Sequence, residues 1–194
     1  MPNGKSNSFA EKIALIFPGL GYNSDKPLLY YAKRLARSLG YTLLEVKYGV
    51  MPEGSREDKL WMESCIQKGL LYADEVLCKD LEKIRSCKKL VCITKSIGSA
   101  VAAAWCKKEG LEASFVVYTP IPATFAYPME EALVFHGESD PWFSEEDFKS
   151  LPSCAGHCLY TFKDANHSLE SGDMERDLSA LNFVISKTKD FISR

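Results

Sequence analysis

Six short apolar runs alternate along the chain with longer stretches whose apolar residues recur at helical spacing. This alternation is typical of parallel strands joined by crossover helices, because a parallel pair needs a connection long enough to cross the sheet. Most of the runs are apolar at successive positions, as expected of strands that helices cover on both faces. The predicted strands are Lys12–Phe17, Thr42–Lys47, Leu90–Thr94, Ser114–Tyr118, Ala132–His136 and Cys158–Phe162. We therefore expect an α/β fold, a three-layer α/β/α sandwich around a mostly parallel sheet of about six strands.

Three long stretches outside these runs are predicted to be helices. The first begins with Ser24 as its N-cap and Pro27 in its first turn, and Gly40 ends it. The second runs from Asp58 to about Cys87, and the third from Met174 to Ile192. Because no internal repeat, low-complexity tract or linker interrupts the pattern, all 194 residues are expected to form a single domain.

The charge and the apolar runs exclude several classes of partner. Lys and Arg number 24 against 26 Asp and Glu, a net charge of −2, and no long run of one sign concentrates it. We therefore expect neither nucleic acid nor membrane as a partner. The longest apolar runs, such as Ile13–Phe17, are too short to span a bilayer, and the polar start has no signal-peptide segment. A cytoplasmic protein is the expectation.

The seven cysteines are an odd number and include no CxxC pair, which indicates free thiols in a reducing compartment. Cys154 and Cys158 flank His157 in a CxxxC pattern, where a strand would direct neighbouring side chains to opposite faces. Thiol chemistry at this pattern would also lack an activating helix N-terminus. We expect no metal there.

A very tight turn is predicted where the run Leu90–Thr94 passes without a spacer into an alanine-rich helix. A serine at this turn, Ser96, projects its hydroxyl above the carboxyl end of the strand, where the next N–H, that of Ile97, can stabilise an oxyanion. Gly98 is the small neighbour that such a turn requires. A serine that only caps the helix would explain the same residue, so its partners decide between the two interpretations.

Suitable partners follow two other predicted strands. Asp140 comes directly after the fifth strand, and His167 follows the sixth. Because the carboxyl ends of parallel strands meet at one edge of a sheet, both should lie near Ser96. A serine becomes a nucleophile when a histidine removes its proton, and that histidine needs a carboxylate to hold its tautomer. The order serine, acid, histidine along the chain is that of one known fold, whereas His136 and His157 are interpreted as structural.

These motifs resemble those of the α/β-hydrolase family, in particular its small single-domain members of the dienelactone-hydrolase type. The resemblance covers nearly the whole chain. It rests on FPGLG at 17–21, where many members have His-Gly-x-Gly, on KSIG at 95–98, on HGESD at 136–140 and on ANH at 165–167. It implies that Ser96 is the nucleophile, His167 the general base and Asp140 the orienting acid, with backbone N–H groups of Leu20 and Ile97 in the oxyanion hole. No cofactor or metal is implied.

Two positions differ from the family pattern, because Pro18 replaces the usual histidine and Thr94 replaces the first glycine of G-x-S-x-G. Lys95-Ser96 before a helix is also similar to the end of a phosphate-binding loop, G-x-x-x-x-G-K-[ST]. That motif would need glycine at Lys89 and Thr94, and without it no loop of N–H groups can wrap a phosphate. The alternative that stays open is a non-catalytic binding or interaction protein with the same fold.

The reaction implied is hydrolysis of a small carboxylic ester, lactone or thioester through an acyl-enzyme, with a small-molecule acyl compound as the substrate. Between the fourth and fifth predicted strands the loop 119–128 is too short for a helical lid. An open, shallow site should prefer acyl groups of roughly two to four carbons, because longer chains would stay in water. The predicted apolar wall of the pocket is Tyr22, Phe125, Tyr127 and Trp142. The oligomeric state is left open.

Overall fold

The computed structural model describes residues 12–55, 58–151 and 156–194. Its centre is a sheet of six parallel strands in the order β2-β1-β3-β4-β5-β6. The strands are β1 Lys12–Phe17, β2 Thr42–Glu45, β3 Lys89–Lys95, β4 Ser114–Tyr118, β5 Glu131–Gly137 and β6 Cys158–Phe162. The predicted α/β fold with a parallel sheet is confirmed.

Helices cover both faces of the sheet. They are α1 Pro27–Ser38, α2 Lys59–Leu77, α3 Leu81–Ser86, α4 Ile97–Glu109, α5 Glu145–Ser150 and α6 Met174–Ile192, with 3₁₀ turns at Cys78–Asp80 and Pro122–Ala126. Successive strand residues point to opposite faces. In β1, Leu15 packs into the core on the side of α2 and α4, whereas Ala14 and Ile16 pack into the core under α1 and α6. The continuous apolar runs of the strands therefore serve two separate cores.

Several predicted boundaries are wrong. Ser24 does not cap α1, whose N-cap is Lys26, because the Ser24 hydroxyl bonds to the Glu45 carboxylate and accepts from Lys33 Nζ at 3.0 Å. β2 ends at Glu45 rather than Lys47, since its register against β1 places Lys47 beyond the last residue of β1.

The second predicted helix does begin after Asp58, whose carboxylate accepts the Leu60 N–H at 2.9 Å. A 3₁₀ turn at Cys78–Asp80 then divides it into α2 and α3. The short helix α5 has no counterpart in the predicted elements; its capping box, formed between Ser144 and Asp147, was the available signal.

The strand order determines where a site can form. From β1 the chain crosses to β2 on one side and later returns to β3 on the other, so a crevice opens at the carboxyl ends of β1 and β3. Leu20 follows β1 and Ser96 follows β3, so both border this crevice. None of the helices in the described part of the chain is long and apolar enough to cross a membrane.

Candidate functional site

Ser96 occupies a strained turn between β3 and α4. Its backbone has φ 55° and ψ −128°, values that a residue with a side chain rarely adopts. The turn is held on both sides, because the Ser96 N–H donates to the Tyr118 carbonyl at 3.0 Å and its carbonyl accepts the Ser99 N–H at 2.9 Å. Ser96 is only 8% exposed, and its hydroxyl points towards the His167 imidazole at the carboxyl edge of the sheet.

Gly98 and Thr94 occupy the two glycine positions of the G-x-S-x-G pattern around Ser96. A Cβ on Gly98 would lie 2.3 Å from the Pro18 carbonyl oxygen and 2.4 Å from that of Phe17, so only glycine fits there. Thr94, in the place of the first glycine, is buried and donates its hydroxyl to the Val116 carbonyl at 3.0 Å. The Thr94 side chain therefore has a hydrogen-bond partner on the neighbouring strand β4.

The structure brings Ser96, His167 and Asp140 together. His167 Nε2 lies 2.8 Å from Ser96 Oγ, and His167 Nδ1 lies 2.7 Å from Asp140 Oδ2. The Asp140 side chain is fully buried, and its other oxygen accepts the Trp142 N–H at 3.1 Å. A buried carboxylate with both oxygens engaged stays in one orientation, and it selects the tautomer in which Nδ1 carries the proton. Nε2 can then accept the hydrogen bond of the serine hydroxyl.

Two loop contacts whose roles were not predicted hold His167 in reach. The Asn166 side chain accepts the Ser168 N–H at 2.7 Å and closes the turn that presents the imidazole. Thr119 donates its hydroxyl to the His167 carbonyl at 2.9 Å and ties that turn to the end of β4. Asn166 directly precedes the histidine, so its type and position were the available signal; nothing local to Thr119 predicts its contact.

Gly137 lets the loop of Asp140 and the loop of His167 approach each other. A Cβ at this position would lie 2.2 Å from the Ala165 carbonyl oxygen and 2.7 Å from that of Asn166. The same approach allows the Ser139 N–H to donate to the Ala165 carbonyl at 2.9 Å. The glycine therefore sets the distance between the acid and the histidine.

We expect Gly137→Ala to separate these loops. The overlap is with backbone atoms, so the free energy of unfolding should fall by about 1–3 kcal/mol or more, and ester turnover should fall with it. Chemical denaturation and the initial rate measure the two effects. Gly110→Ala is the control, because nothing lies within 4 Å of its Cβ position and only its φ of +63° opposes the change. A Gly137→Ala protein with parental stability and rate would contradict the role given to this glycine.

The two predicted oxyanion donors border Ser96. Ile97 is the first residue of α4, so its N–H has no acceptor within the helix. Leu20 lies in a turn that closes through two bonds: the Gly19 N–H donates to the Tyr22 carbonyl at 3.0 Å, and the Tyr22 N–H donates to the Gly19 carbonyl at 3.4 Å. Because a Cβ on Gly19 would lie 3.3 Å from the Ser96 Cβ, this turn passes directly beside the nucleophile candidate. The roles of both N–H groups stay predictions.

Three of the four aromatic residues predicted to form a wall contact other groups. Phe125 is buried and stacks on Phe143 with ring centroids 5.3 Å apart, so it belongs to the core. Tyr22 is also buried; its hydroxyl accepts the Leu28 N–H at 3.2 Å, and burial raises its pKa to about 12. Tyr127 lies under the ammonium of Lys107.

Trp142 is the exception, because its ring packs against His167 with centroids 4.0 Å apart. It lines an apolar groove of about 510 Å³ whose opposite wall is the first turns of α2. The groove, called the α2 groove below, is lined by Met62, Ile66, Ile121, Pro122, Ala123 and Trp142. No lid was predicted between β4 and β5, but a helix after β2 forms this wall, and that contact has no counterpart in the predicted site.

The remaining predictions concern His136 and the cysteines. His136 is buried edge-on against Phe143, and burial lowers the pKa of its imidazole. Cys154 lies outside the described residues, so the CxxxC pattern is not described as a whole; Cys158 is exposed at the start of β6. Among the described residues, no group of three or more His, Cys, Asp or Glu side chains is arranged to hold a metal ion.

Comparison with known proteins gives similarity in structure alone. No family model and no curated protein sequence matches the chain. Est1E from Butyrivibrio proteoclasticus superposes with a TM-score of 0.66 at 12% identity, covering 96% of this chain and 89% of that one. An α/β serine hydrolase homologue from Coxiella burnetii has a TM-score of 0.65 at 14% identity, covering 92% and 85%. A serine hydrolase without a lid from Xanthomonas campestris has a TM-score of 0.61 at 12% identity, covering 98% and 86%. Similarity at these identities concerns the fold; the more specific likeness to dienelactone hydrolases stays a prediction.

Proposed function

We propose that this chain, which has the α/β-hydrolase fold, is a serine hydrolase that cleaves a carboxylic ester, lactone or thioester. The observation that carries the proposal is the continuous chain of contacts from Asp140 through His167 to the Ser96 hydroxyl, at 2.7 and 2.8 Å. The strained backbone of Ser96 adds to it, since strain of this kind persists where a side chain must be held for a task.

In the proposed mechanism Ser96 Oγ attacks the carbonyl carbon of the substrate while His167 Nε2 accepts the hydroxyl proton. The new C–O bond moves the carbonyl electron pair onto oxygen, and the N–H groups of Leu20 and Ile97 stabilise that negative charge. Asp140 stays ionised and stabilises the imidazolium. Collapse of the intermediate breaks the bond to the leaving group, which takes the proton from His167. Water then repeats the sequence on the acyl-enzyme and releases the acid.

A structural neighbour supports the choice of a carboxylic acyl group. One Est1E structure, with a TM-score of 0.64 at 13% identity and coverage of 96% and 90%, holds ferulic acid, a carboxylic acid of the class that ester hydrolysis releases. The same fold serves many reactions, so the neighbour supports the proposal only together with the site geometry.

The test is labelling with a serine-directed fluorophosphonate combined with hydrolysis of p-nitrophenyl acetate. We expect covalent labelling at Ser96, located by mass spectrometry of the peptides, and loss of ester hydrolysis in step with labelling. A label on another serine would show that the nucleophile is misassigned. A protein that neither takes the label nor hydrolyses the ester would instead favour a non-catalytic role for the fold.

A further inference from the structure

The α2 groove is a second feature of the same edge of the sheet, and the proposed reaction does not by itself require it. It adjoins the reacting groups at two points: the Trp142 ring packs on the His167 imidazole, and Ile121 lies on the loop that Thr119 ties to the His167 carbonyl. Ile66 and Ile121 are 4% and 2% exposed, so the groove is lined in part by apolar side chains that are packed in the core. The groove therefore adjoins the candidate reacting groups through Trp142 and through the loop of Ile121.

We infer that the α2 groove binds an unbranched aliphatic chain of the ester substrate, an inference that rests on the proposed function. The groove volume of about 510 Å³ lies within the range of small-molecule sites. Lys59 and Glu63, on the α2 side of the groove, carry opposite charges and leave it without a net attraction for an ionic chain. A neutral chain of medium length is the occupant that this lining fits.

This inference reverses the preference for short acyl groups that the missing lid predicts. Each methylene that leaves water is worth about fourfold in kcat/KM. If the groove holds the chain, kcat/KM should rise by at least about tenfold between two-carbon and six-carbon chains, as two or more buried methylenes require. Without binding in the groove, kcat/KM would stay constant or fall as the chain becomes longer.

The experiment compares two ester series on the intact protein. One lengthens the acyl group from p-nitrophenyl acetate to hexanoate, and the other lengthens the alcohol from methyl to hexyl acetate. A rise in the acyl series places the acyl chain in the groove, and a rise in the alcohol series places the leaving group there. Flat profiles in both series, from a protein that hydrolyses acetate and takes the fluorophosphonate at Ser96, would overturn the groove but not the hydrolase. Absence of acetate hydrolysis and of labelling would overturn both.

Variants on the two walls of the α2 groove test whether the groove causes the rise of kcat/KM with chain length. Ala123→Phe and Met62→Trp should each fill the groove and bring the ratio of kcat/KM for the six-carbon and two-carbon esters close to one. Because the measure is a ratio, a general loss of activity cancels from it, and either variant suffices if the other does not fold. Ala126→Phe is the matched control, since this exposed residue lies on the same 3₁₀ turn outside the groove. An unchanged ratio in folded Ala123→Phe and Met62→Trp would overturn the assignment.

Lys95 is an independent observation, because it is a lysine with 1% exposure next to Ser96. Burial of an ammonium group is costly unless other groups stabilise it. Ile93 points into the core under α1 and α6, and Lys95, two residues further along β3, points to the same face. There its Nζ lies 5.0 Å from the centre of the Tyr22 ring, within the range of a cation–π interaction.

The Lys95 side chain also supports the turn that carries Leu20. Its Cγ lies 3.4 Å from the Cβ position of Gly19, and Gly19 and Tyr22 are the two residues whose backbone bonds close that turn. We propose that Lys95 is a positioning residue that holds the Gly19–Tyr22 turn, and with it the Leu20 N–H, against the oxyanion. The proposal rests on the proposed function.

Loss of this support should act on the transition state rather than on substrate binding. Removal of one oxyanion donor costs about 10²–10³ in kcat, so a displaced donor in Lys95→Met should cost about tenfold or more, with KM nearly unchanged. Lys95→Arg retains a cation that can stack on the ring and should recover part of kcat. Lys26→Met is the matched control, because it removes a second cation that lies over the same ring at 5.2 Å but is exposed and distant in sequence from Ser96.

Substitution of Tyr22 tests the contact between Lys95 and the Tyr22 ring without changing the lysine. Tyr22→Phe keeps the ring face and should lose less kcat than Tyr22→Leu, and the double variant Lys95→Met/Tyr22→Leu should be little worse than either single variant because the two act through one contact. Full kcat in folded Lys95→Met, a loss confined to KM, or additive losses in the double variant would overturn the positioning role. A parent protein that takes no fluorophosphonate would instead overturn the hydrolase assignment.

Discussion

Replacement of Ser96 by alanine should abolish ester hydrolysis, with kcat lower by up to about 10⁶-fold, the scale measured when the serine of a well-studied protease triad is removed. The reason is chemical: the Ser96 hydroxyl is the group that His167 Nε2 contacts at 2.8 Å, and alanine has no hydroxyl to be activated. Stopped-flow or endpoint release of p-nitrophenol measures the rate, and the same protein should take no fluorophosphonate. Residual turnover within tenfold of the parent would refute the assignment.

A companion variant separates the chemical role of Ser96 from its conformational cost. Ser96→Gly removes the hydroxyl as well as the Cβ that is strained at φ 55°. It should be as inactive as Ser96→Ala but more stable by about 1 kcal/mol, since a side chain in the left-handed region costs about that much. Equal unfolding free energies for the two variants would show that the turn stores no strain.

Replacement of Asp140 by asparagine should reduce kcat by about 10⁴-fold while the thermal midpoint changes little. Asparagine keeps an oxygen for the Trp142 N–H, which Asp140 Oδ1 now accepts at 3.1 Å. Its amide nitrogen would face His167 Nδ1, 2.7 Å from the present Oδ2, and two donors cannot share that contact. The imidazole would then carry its proton on Nε2 and lose the ability to accept from Ser96.

The control for this prediction is Glu138→Gln, which neutralises an exposed acid two residues away in the same loop. It should retain the parental kcat, because the buried carboxylate of Asp140, and not Glu138, contacts His167 Nδ1. If Glu138→Gln lost activity and Asp140→Asn did not, the acid of the site would be Glu138. Circular dichroism melting curves of both variants show whether a rate change comes from unfolding.

The elements that the sequence predicted correctly are those determined by local pattern. The continuous apolar runs specify strands covered on both faces, and all six lie within two residues of their predicted bounds where the structure describes them. The positions of Ser96, Asp140 and His167 at one edge follow from the same pattern, since each residue comes directly after a strand or its loop and parallel strands share their carboxyl edge. Their contact distances agree with that placement, whereas their catalytic roles stay predictions.

Tertiary contacts decide which side chains surround the candidate site, and the local sequence pattern does not predict them. Phe125 and Trp142 are both aromatic loop residues, yet the first packs in the core and the second against His167, because partners distant in sequence decide which face of each loop is buried. The wall of the α2 groove joins residues about 60 positions apart, such as Met62 and Ala123, and no periodicity connects them. The sequence by itself determined the strands, their common edge and the three residues there that are proposed to carry acyl transfer. The fold decided which side chains surround them, because burial depends on the assembled sheet and helices and not on neighbours along the chain.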